Sequence, residues 1–333
     1  MKKGLCLLGT LVLLCVSAAA VSEAELKTAM EETAAYVAQT VQTAQVGSVG
    51  GDWAVLGLAR SGAAVPEGYL DAVETYVEAR GGVLHERKYT EYARVALALT
   101  AMGKDPGSVA GYDLLAPLED HDAVCRQGIN GPIWALLALD AAKRPAEVRQ
   151  RYVDDILAAQ LPGGGWSLTG SGAGDADLTA MALQALAKYQ DQEQVQAATE
   201  KALTVLSLAQ EDTGGCGSAE STAQVLVALC ELGLDWEDER FTKNGRTVLD
   251  GLLTFRREDG AFSHDVGGTA DQMTSEQGLY ALAAAWRFAQ GLPSLYRMED
   301  APAAPAQTLP SQLLLVRTGC ALGLWTLLYW SRW

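Results

Sequence analysis

Hydrophobic and polar positions along this chain fall into two kinds of segment that alternate. In one kind, apolar and small residues cover nearly the whole helical circumference. Six such runs lie at 51–62, 91–103, 131–141, 177–187, 220–233 and 274–284. They lack the alternation of β-branched residues that marks strands, so they predict helices buried on most sides. Aligned on Leu58, Leu99, Leu139, Leu186, Leu229 and Leu282, they recur at intervals of 40–53 residues. A fixed period of that order is the signature of a repeat of supersecondary units.

A segment with a single apolar face precedes each run. Leu26, Met30, Val37 and Val41 mark the first at helical spacing, and Val73, Tyr76 and Val77 the second. Tyr152, Val153, Ile156 and Leu157 mark the fourth, Ala198, Ala202, Leu203, Val205 and Leu206 the fifth, and Leu249, Leu252, Leu253 and Phe255 the sixth. The third, around Leu114, Leu115 and Leu118, is short. Glycines at Gly81-Gly82, Gly163-Gly164-Gly165, Gly214-Gly215 and Gly260 close these segments, as helix ends that reverse the chain require. An open solenoid needs polar caps on its terminal repeats, and neither terminal pair has one. The pattern therefore predicts an all-α fold, an (α/α)6 toroid with six buried inner helices and six amphipathic outer ones. Its central cavity opens where the inner helices begin.

Composition narrows the function classes. The 333 residues carry 41 acidic against 25 basic side chains, a net charge of −16 that repels phosphate backbones and argues against nucleic-acid binding. The two ends stand outside the repeat. Residues 1–20 read as a secretory signal: Lys2 and Lys3, an apolar stretch from Leu5 to Val16, then Ala18, Ala19 and Ala20 as small cleavage-site residues. The toroid is expected over 21–298 and an Ala/Pro linker over 299–312. Residues 313–333 are apolar except for Arg317 until the final Trp-Ser-Arg-Trp. As a helix, 313–330 reaches about 27 Å, near the roughly 30 Å of a hydrocarbon core. These ends predict an exported, surface-tethered protein whose C-terminal segment partners the membrane. Cys125, Cys216 and Cys230 are the cysteines between the two ends, and they lack CxxC spacing, so no disulfide framework is expected.

The fourth repeat carries the most specific residues. Gln160 and Trp166 bracket a triple glycine, followed by Asp175-Ala176-Asp177-Leu178-Thr179-Ala180. This resembles the terpenoid cyclase/protein prenyltransferase α/α-toroid superfamily, whose repeats carry that Gln and Trp. Closest in pattern are exported squalene-cyclase-repeat proteins of Gram-positive gut bacteria, and the chain is also similar to cobalamin-binding toroids of the transcobalamin and intrinsic-factor type. The resemblance spans about residues 23–298 and implies the architecture more firmly than an activity.

Several chemistries of that superfamily can be compared with the residues here. Class II terpene cyclases protonate an alkene or epoxide with the middle Asp of Asp-x-Asp-Asp-Thr-Ala. The resemblance puts Asp177 in the general-acid position and Asp175 beside it, but Leu178 replaces the partner Asp that helps set the acidity. The alternative role for Asp177 is to N-cap its helix. For prenyltransferase zinc, Cys216 and His264 are available, but Asp212 stands four residues before the Cys instead of two. Thioester chemistry requires a Gln where Ala219 stands. No metal set and no cofactor is expected. What remains is a cavity whose mouth is lined by Trp53, Tyr92, Asn130, Trp134, Glu220, Gln224, Glu276 and Gln277 with Asp177, polar groups at the starts of inner helices. Such a lining suits binding of a small molecule, and the resemblance suggests a corrinoid or an isoprenoid, or a partner protein. The alternatives are a terpene-cyclase-like enzyme using Asp177 and a scaffold that binds proteins on its outer surface.

Overall fold

The computed structural model describes residues 21–47, 49–145 and 147–302. Over these residues the chain is all-α, with β-pairing confined to isolated bridges. The helices run α1 (Glu23–Thr40), α2 (Asp52–Ser61), α3 (Tyr69–Ala79), α4 (Thr90–Ala101), α5 (His121–Cys125) and α6 (Asn130–Ala141). They continue with α7 (Val148–Ala158), α8 (Ala176–Leu186), α9 (Glu193–Ala209), α10 (Ala219–Glu231), α11 (Val248–Leu253) and α12 (Gln272–Ala289).

The even-numbered helices coincide with the six all-apolar runs, and their side chains are buried on nearly every face. Capping side chains start many of the helices. Ser22, Asp175, Ser218, Thr247 and Asp271 each accept a hydrogen bond from a backbone N–H in the first turn of the helix that follows. Small residues let the buried helices approach closely. Gly57 in α2 faces Leu279 in α12, where an added Cβ would lie only 3.0 Å from the leucine side chain. Packing contacts run from α2 to α4, α6, α8, α10 and α12 in turn, and α12 packs against α2. The odd-numbered helices lean on this series: α7 on α6, α9 on α8, α11 on α10, and α1 on both α12 and α2.

Tight turns carry the chain from an odd helix to the next even one. At the end of α7, Gln160 Nε2 donates to the carbonyls of Gly164 (2.7 Å) and Ala198 (2.8 Å), tying the turn to α9. At the end of α9, Gln210 Nε2 does the same toward Gly214 (3.0 Å) and Phe241 (2.8 Å). Trp166, fully buried, follows the first of these turns and donates its indole N–H to the Ile156 carbonyl at 2.6 Å. The second turn needs glycine twice over. Gly214 has φ +89°, and a Cβ there would meet the Thr247 carbonyl at 2.2 Å.

The third outer segment departs from a simple amphipathic helix. Pro117 lacks the N–H that a continuous helix would use, so Ala116–Glu119 forms a 3-10 turn. Asp120 then caps the short α5 by accepting from the Ala123 N–H at 3.1 Å. The packed body also runs past the boundary expected at residue 298. Asp300 is held by the guanidinium groups of Arg60 (2.9 Å) and Arg287, both nearly buried.

The membrane expectations are corrected. No helix among the described residues is long and apolar enough to cross a membrane. A C-terminal anchor, the membrane as partner and a tethered surface location are therefore withdrawn. The segment 313–333 on which they were placed lies outside the described residues, as does the expected signal at 1–20.

Two glycines separate steric from conformational cost. Gly214→Ala should lower the free energy of unfolding by about 2–4 kcal/mol, combining a left-handed backbone with overpacking. Gly217, with φ +92° but no atom within 4 Å of its Cβ position, should cost only about 1–2 kcal/mol as alanine. Urea denaturation midpoints of the two variants measure the difference.

Candidate functional site

The N-terminal halves of the even-numbered helices surround a cavity of about 350 Å³. Helical periodicity selects its lining, because residues four apart share a face. Thr90 and Arg94 come from α4, Asn130 and Trp134 from α6, Asp177 and Met181 from α8, and Glu220 and Gln224 from α10. Gln277 and Tyr280, three apart on α12, continue the wall, and Trp53 on α2 completes it.

One part of the wall is aromatic. The Trp53 ring lies 5.0 Å from Trp134 and 6.0 Å from Tyr280, tilted by 53° and 57°. Behind Tyr280 runs a chain of amides. Gln184 donates to Gln224 at 2.9 Å, and Gln224 donates to Gln277 (3.1 Å) and to the Tyr280 hydroxyl (2.5 Å). The Tyr280 hydroxyl in turn donates to Gln277 at 3.1 Å. These bonds fix the orientation of the buried amides and of the tyrosine ring.

The two carboxylates of the wall differ in environment. Burial raises the Asp177 carboxyl above the usual range, aided by the negative charges of Asp175 and Glu220 and opposed by a hydrogen bond from Ser221. Its Oδ1 is buried without a hydrogen-bond partner. Burial acts on Glu220 in the same direction but is outweighed. Hydrogen bonds from Thr274, from the backbone and from His264 hold Glu220 below its usual range. His264 Nδ1 lies 2.8 Å from Glu220 Oε2, and this contact raises the pKa of the exposed imidazole. The wall thus sets an ionised carboxylate beside one that protonates more readily.

On the opposite side, Arg94 Nε donates to Asp52 at 2.8 Å, and its other nitrogen pairs with Glu91. Asp52 is fully buried and also accepts from the Tyr69 hydroxyl (2.6 Å) and the Gly47 N–H (3.0 Å). Gln127 bonds both the backbone and the hydroxyl of Thr90.

The segment after α12 lies against the C-terminal ends of α2, α10 and α12. Arg60 donates to the Pro293, Ser294 and Arg297 carbonyls, and Arg287 to Pro293. Glu231 accepts from the Ser294 hydroxyl (2.6 Å) and the Tyr296 N–H (3.0 Å). The Tyr296 ring, seated by these bonds, meets Trp134 edge-on at 6.5 Å.

Of the residues expected at the mouth, Trp53, Asn130, Trp134, Asp177, Glu220, Gln224 and Gln277 line the cavity. Two others, Tyr92 and Glu276, do not. Tyr92 is buried on another face of α4, where its hydroxyl accepts from the Leu84 N–H at 3.0 Å. Two residues from Arg94 on a helix is about 200°, so only one of the pair can face the cavity. Glu276 is fully buried, accepting through Oε1 from Gly50 N–H (2.7 Å) and Gln272 (2.9 Å). Asp175, not Asp177, is the N-cap of α8, accepting from the Leu178 N–H at 2.9 Å. Thr90, Arg94, Gln127, Met181 and Tyr280 were not among the expected residues. The phase of each helix relative to its neighbours identifies all but Gln127, which lies in the loop before α6. Cys216 is buried, and burial pushes its thiol up to about 12.

No family model matches the chain. The squalene-cyclase repeat expected from the sequence thus has no matching family model, and the expected signal lies outside the described residues. A fly protein is similar. The "Uncharacterized protein CG3556" of Drosophila melanogaster is 28% identical over 177 residues, 52% of this chain. The chain covers only 27% of the length of that relative.

Glu276 gives the site a pH-dependent stability. Burial raises its carboxyl to about 7, against the hydrogen bonds from Gln272 and Gly50, and Oε2 has no partner. The folded state therefore holds this proton where the unfolded chain, with the ordinary carboxyl value of 4.5, has lost it. Stability falls as pH rises from about 4.5 to about 7, by up to about 3 kcal/mol. Glu276→Gln, whose amide oxygen can still accept from Gly50 and Gln272, should remove that slope. Denaturant unfolding at pH 5 and pH 8 should show the variant gaining on the wild type by about 2–3 kcal/mol at the higher pH.

Proposed function

We propose that the chain is a closed α/α toroid of the terpenoid cyclase/protein prenyltransferase type that binds a small molecule in the cavity at the inner-helix N-termini. The closed order of packing from α2 round to α12 supports the toroid. The observation that carries the binding function is the lining itself. Tilted aromatics adjoin amides and carboxylates, and hydrogen bonds already fix Gln224, Gln277, Tyr280 and Glu220 among them. A preorganised wall of this kind loses little entropy on binding.

The lining also sorts the ligand classes. An isoprenoid chain would bury Asp177, Glu220, Asn130 and Gln224 against hydrocarbon, leaving polar groups unpaired at a cost of about 1–3 kcal/mol each. A ring compound with an apolar face and an amide- or hydroxyl-bearing rim satisfies both parts of the wall. A corrinoid has this character, although about 350 Å³ admits only one edge of it, so it would sit across the mouth.

A second reading is favoured by one observation, the raised Asp177 carboxyl with an unpartnered oxygen beside the ionised Glu220. That pairing suits a general acid. It predicts turnover of a substrate that Asp177→Asn abolishes while leaving the melting temperature unchanged. No product from the wild type with polyprenyl substrates would reject the cyclase form.

Binding is tested by thermal shift with cobinamide, geranylgeranyl diphosphate and neutral oligosaccharides. A ligand at one hundred times its Kd adds about 2.7 kcal/mol of stability. The polar-rimmed compounds should raise the melting temperature, and Trp134→Ala should weaken that shift at least tenfold in concentration. If all of the probes leave the melting temperature unchanged, or Trp134→Ala binds like wild type, the cavity reading fails.

A further inference from the structure

A second cluster lies on the outer layer, away from the cavity. His121 and Cys125 are four apart on α5 and so share a face, and Asp155 reaches them from α7. His121 Nε2 lies 2.6 Å from Asp155 Oδ2, Cys125 Sγ lies 3.4 Å from the same oxygen, and Cys125 Sγ lies 3.6 Å from His121 Nε2. From the geometry of these three side chains we propose a zinc site with one open coordination position, joining α5 to α7.

The spacing is that of a coordination shell. Ligand atoms at about 2.0–2.3 Å from a tetrahedral zinc are separated by roughly 3.3–3.6 Å. Both sulfur edges of the triangle already have that length, and only the nitrogen–oxygen edge must widen, by about 0.7 Å. The mixture of thiolate, imidazole and carboxylate favours zinc over the oxygen-seeking magnesium and calcium. His121 is oriented in advance, stacked on Tyr152 with centroids 5.5 Å apart and planes 13° apart. The Tyr152 hydroxyl donates to the Leu118 carbonyl at 2.6 Å, which anchors the platform.

A partner for the second ring nitrogen is also present. Asp122 Oδ1 lies 3.3 Å from His121 Nδ1, where it can accept the N–H that a histidine bound through Nε2 must carry. Arg151 lies 2.9 Å from the same nitrogen and would have to withdraw, leaving Asp122 as the partner. On binding, Cys125 releases its thiol proton to solvent and the sulfur bonds the metal. His121 moves its proton from Nε2 to Nδ1, and Asp155 exchanges a hydrogen bond for a metal bond. The open fourth position takes water.

A cysteine nucleophile is the competing interpretation of the same residues. The Cys125 thiol is pushed up to about 12 by burial and by Asp155, which is opposite to the activation that a nucleophile needs. A divalent cation reverses that effect by adding the positive charge that the pair of acidic ligands lacks.

The test is a cobalt titration of the untagged full chain, stripped with chelator and kept reduced. One equivalent of Co2+ should give a thiolate-to-cobalt charge-transfer band with the intense visible bands of a four-coordinate site, and Zn2+ should bleach both. Cys125→Ser should abolish the charge-transfer band, while Asp155→Asn and His121→Ala weaken binding at least tenfold and Cys216→Ser changes nothing. Circular dichroism checks that each variant is folded, and Asp155→Asn, at a partly exposed position, serves if Cys125→Ser is not. No charge-transfer band at one equivalent, or a band that survives in Cys125→Ser, would overturn the proposal.

Discussion

The contact between the last buried helix and the first holds the rest of the arrangement in place. Gly57 of α2 lets the Leu279 side chain of α12 approach so closely that an added Cβ would lie 3.0 Å from it. Polar groups reinforce the seam at both ends. Glu276 of α12 accepts from Gly50 just before α2, and Arg60 of α2 joins Arg287 of α12 in gripping Asp300. Two nearly buried guanidinium groups sharing one carboxylate would be destabilising alone. The carbonyls of Pro293, Ser294 and Arg297 accept from Arg60 Nη2 and Arg287 Nε and offset part of that cost, while Arg60 Nε is buried without a partner.

The cavity follows from that seam. With α12 against α2, the first turns of the even-numbered helices converge, and each contributes the one or two side chains whose phase faces inward. Tyr280 reaches Trp53 across this seam, and Gln224 reaches Gln277 across the neighbouring one. Aromatic and amide parts of the wall are therefore both assembled from different helices, and neither exists in any single repeat. At the opposite end, the segment after α12 carries Tyr296 under Trp134, so the clamp at Asp300 also supports the aromatic wall.

Much of the helical layout is legible in the sequence because burial on all sides leaves an unmistakable pattern. The six apolar runs anticipate α2, α4, α6, α8, α10 and α12 closely. The third outer segment is less legible, since Pro117 and Asp120 break it into two short pieces that carry no clear period. Site residues are read only in part. Proximity to a helix start picks out Trp134 and Gln224, which line the cavity, but rotational phase decides between Tyr92 and Arg94 and between Glu276 and Gln277. Phase depends on which neighbours each helix packs against, and a single chain does not state that. The pairing of His121 with Asp155 is invisible for the same reason, because it joins residues of α5 and α7 that are 34 positions apart.

Ligand binding at the N-terminal ends of the even-numbered helices, as proposed, depends on all of the walls together. Hydrogen–deuterium exchange of the protein with and without a bound small molecule tests it most directly. Binding should slow exchange together in the N-terminal halves of α2, α4, α6, α8, α10 and α12, with α3, α7 and α9 unchanged. Protection confined to the outer helices, or absent while the ligand is demonstrably bound, would contradict it.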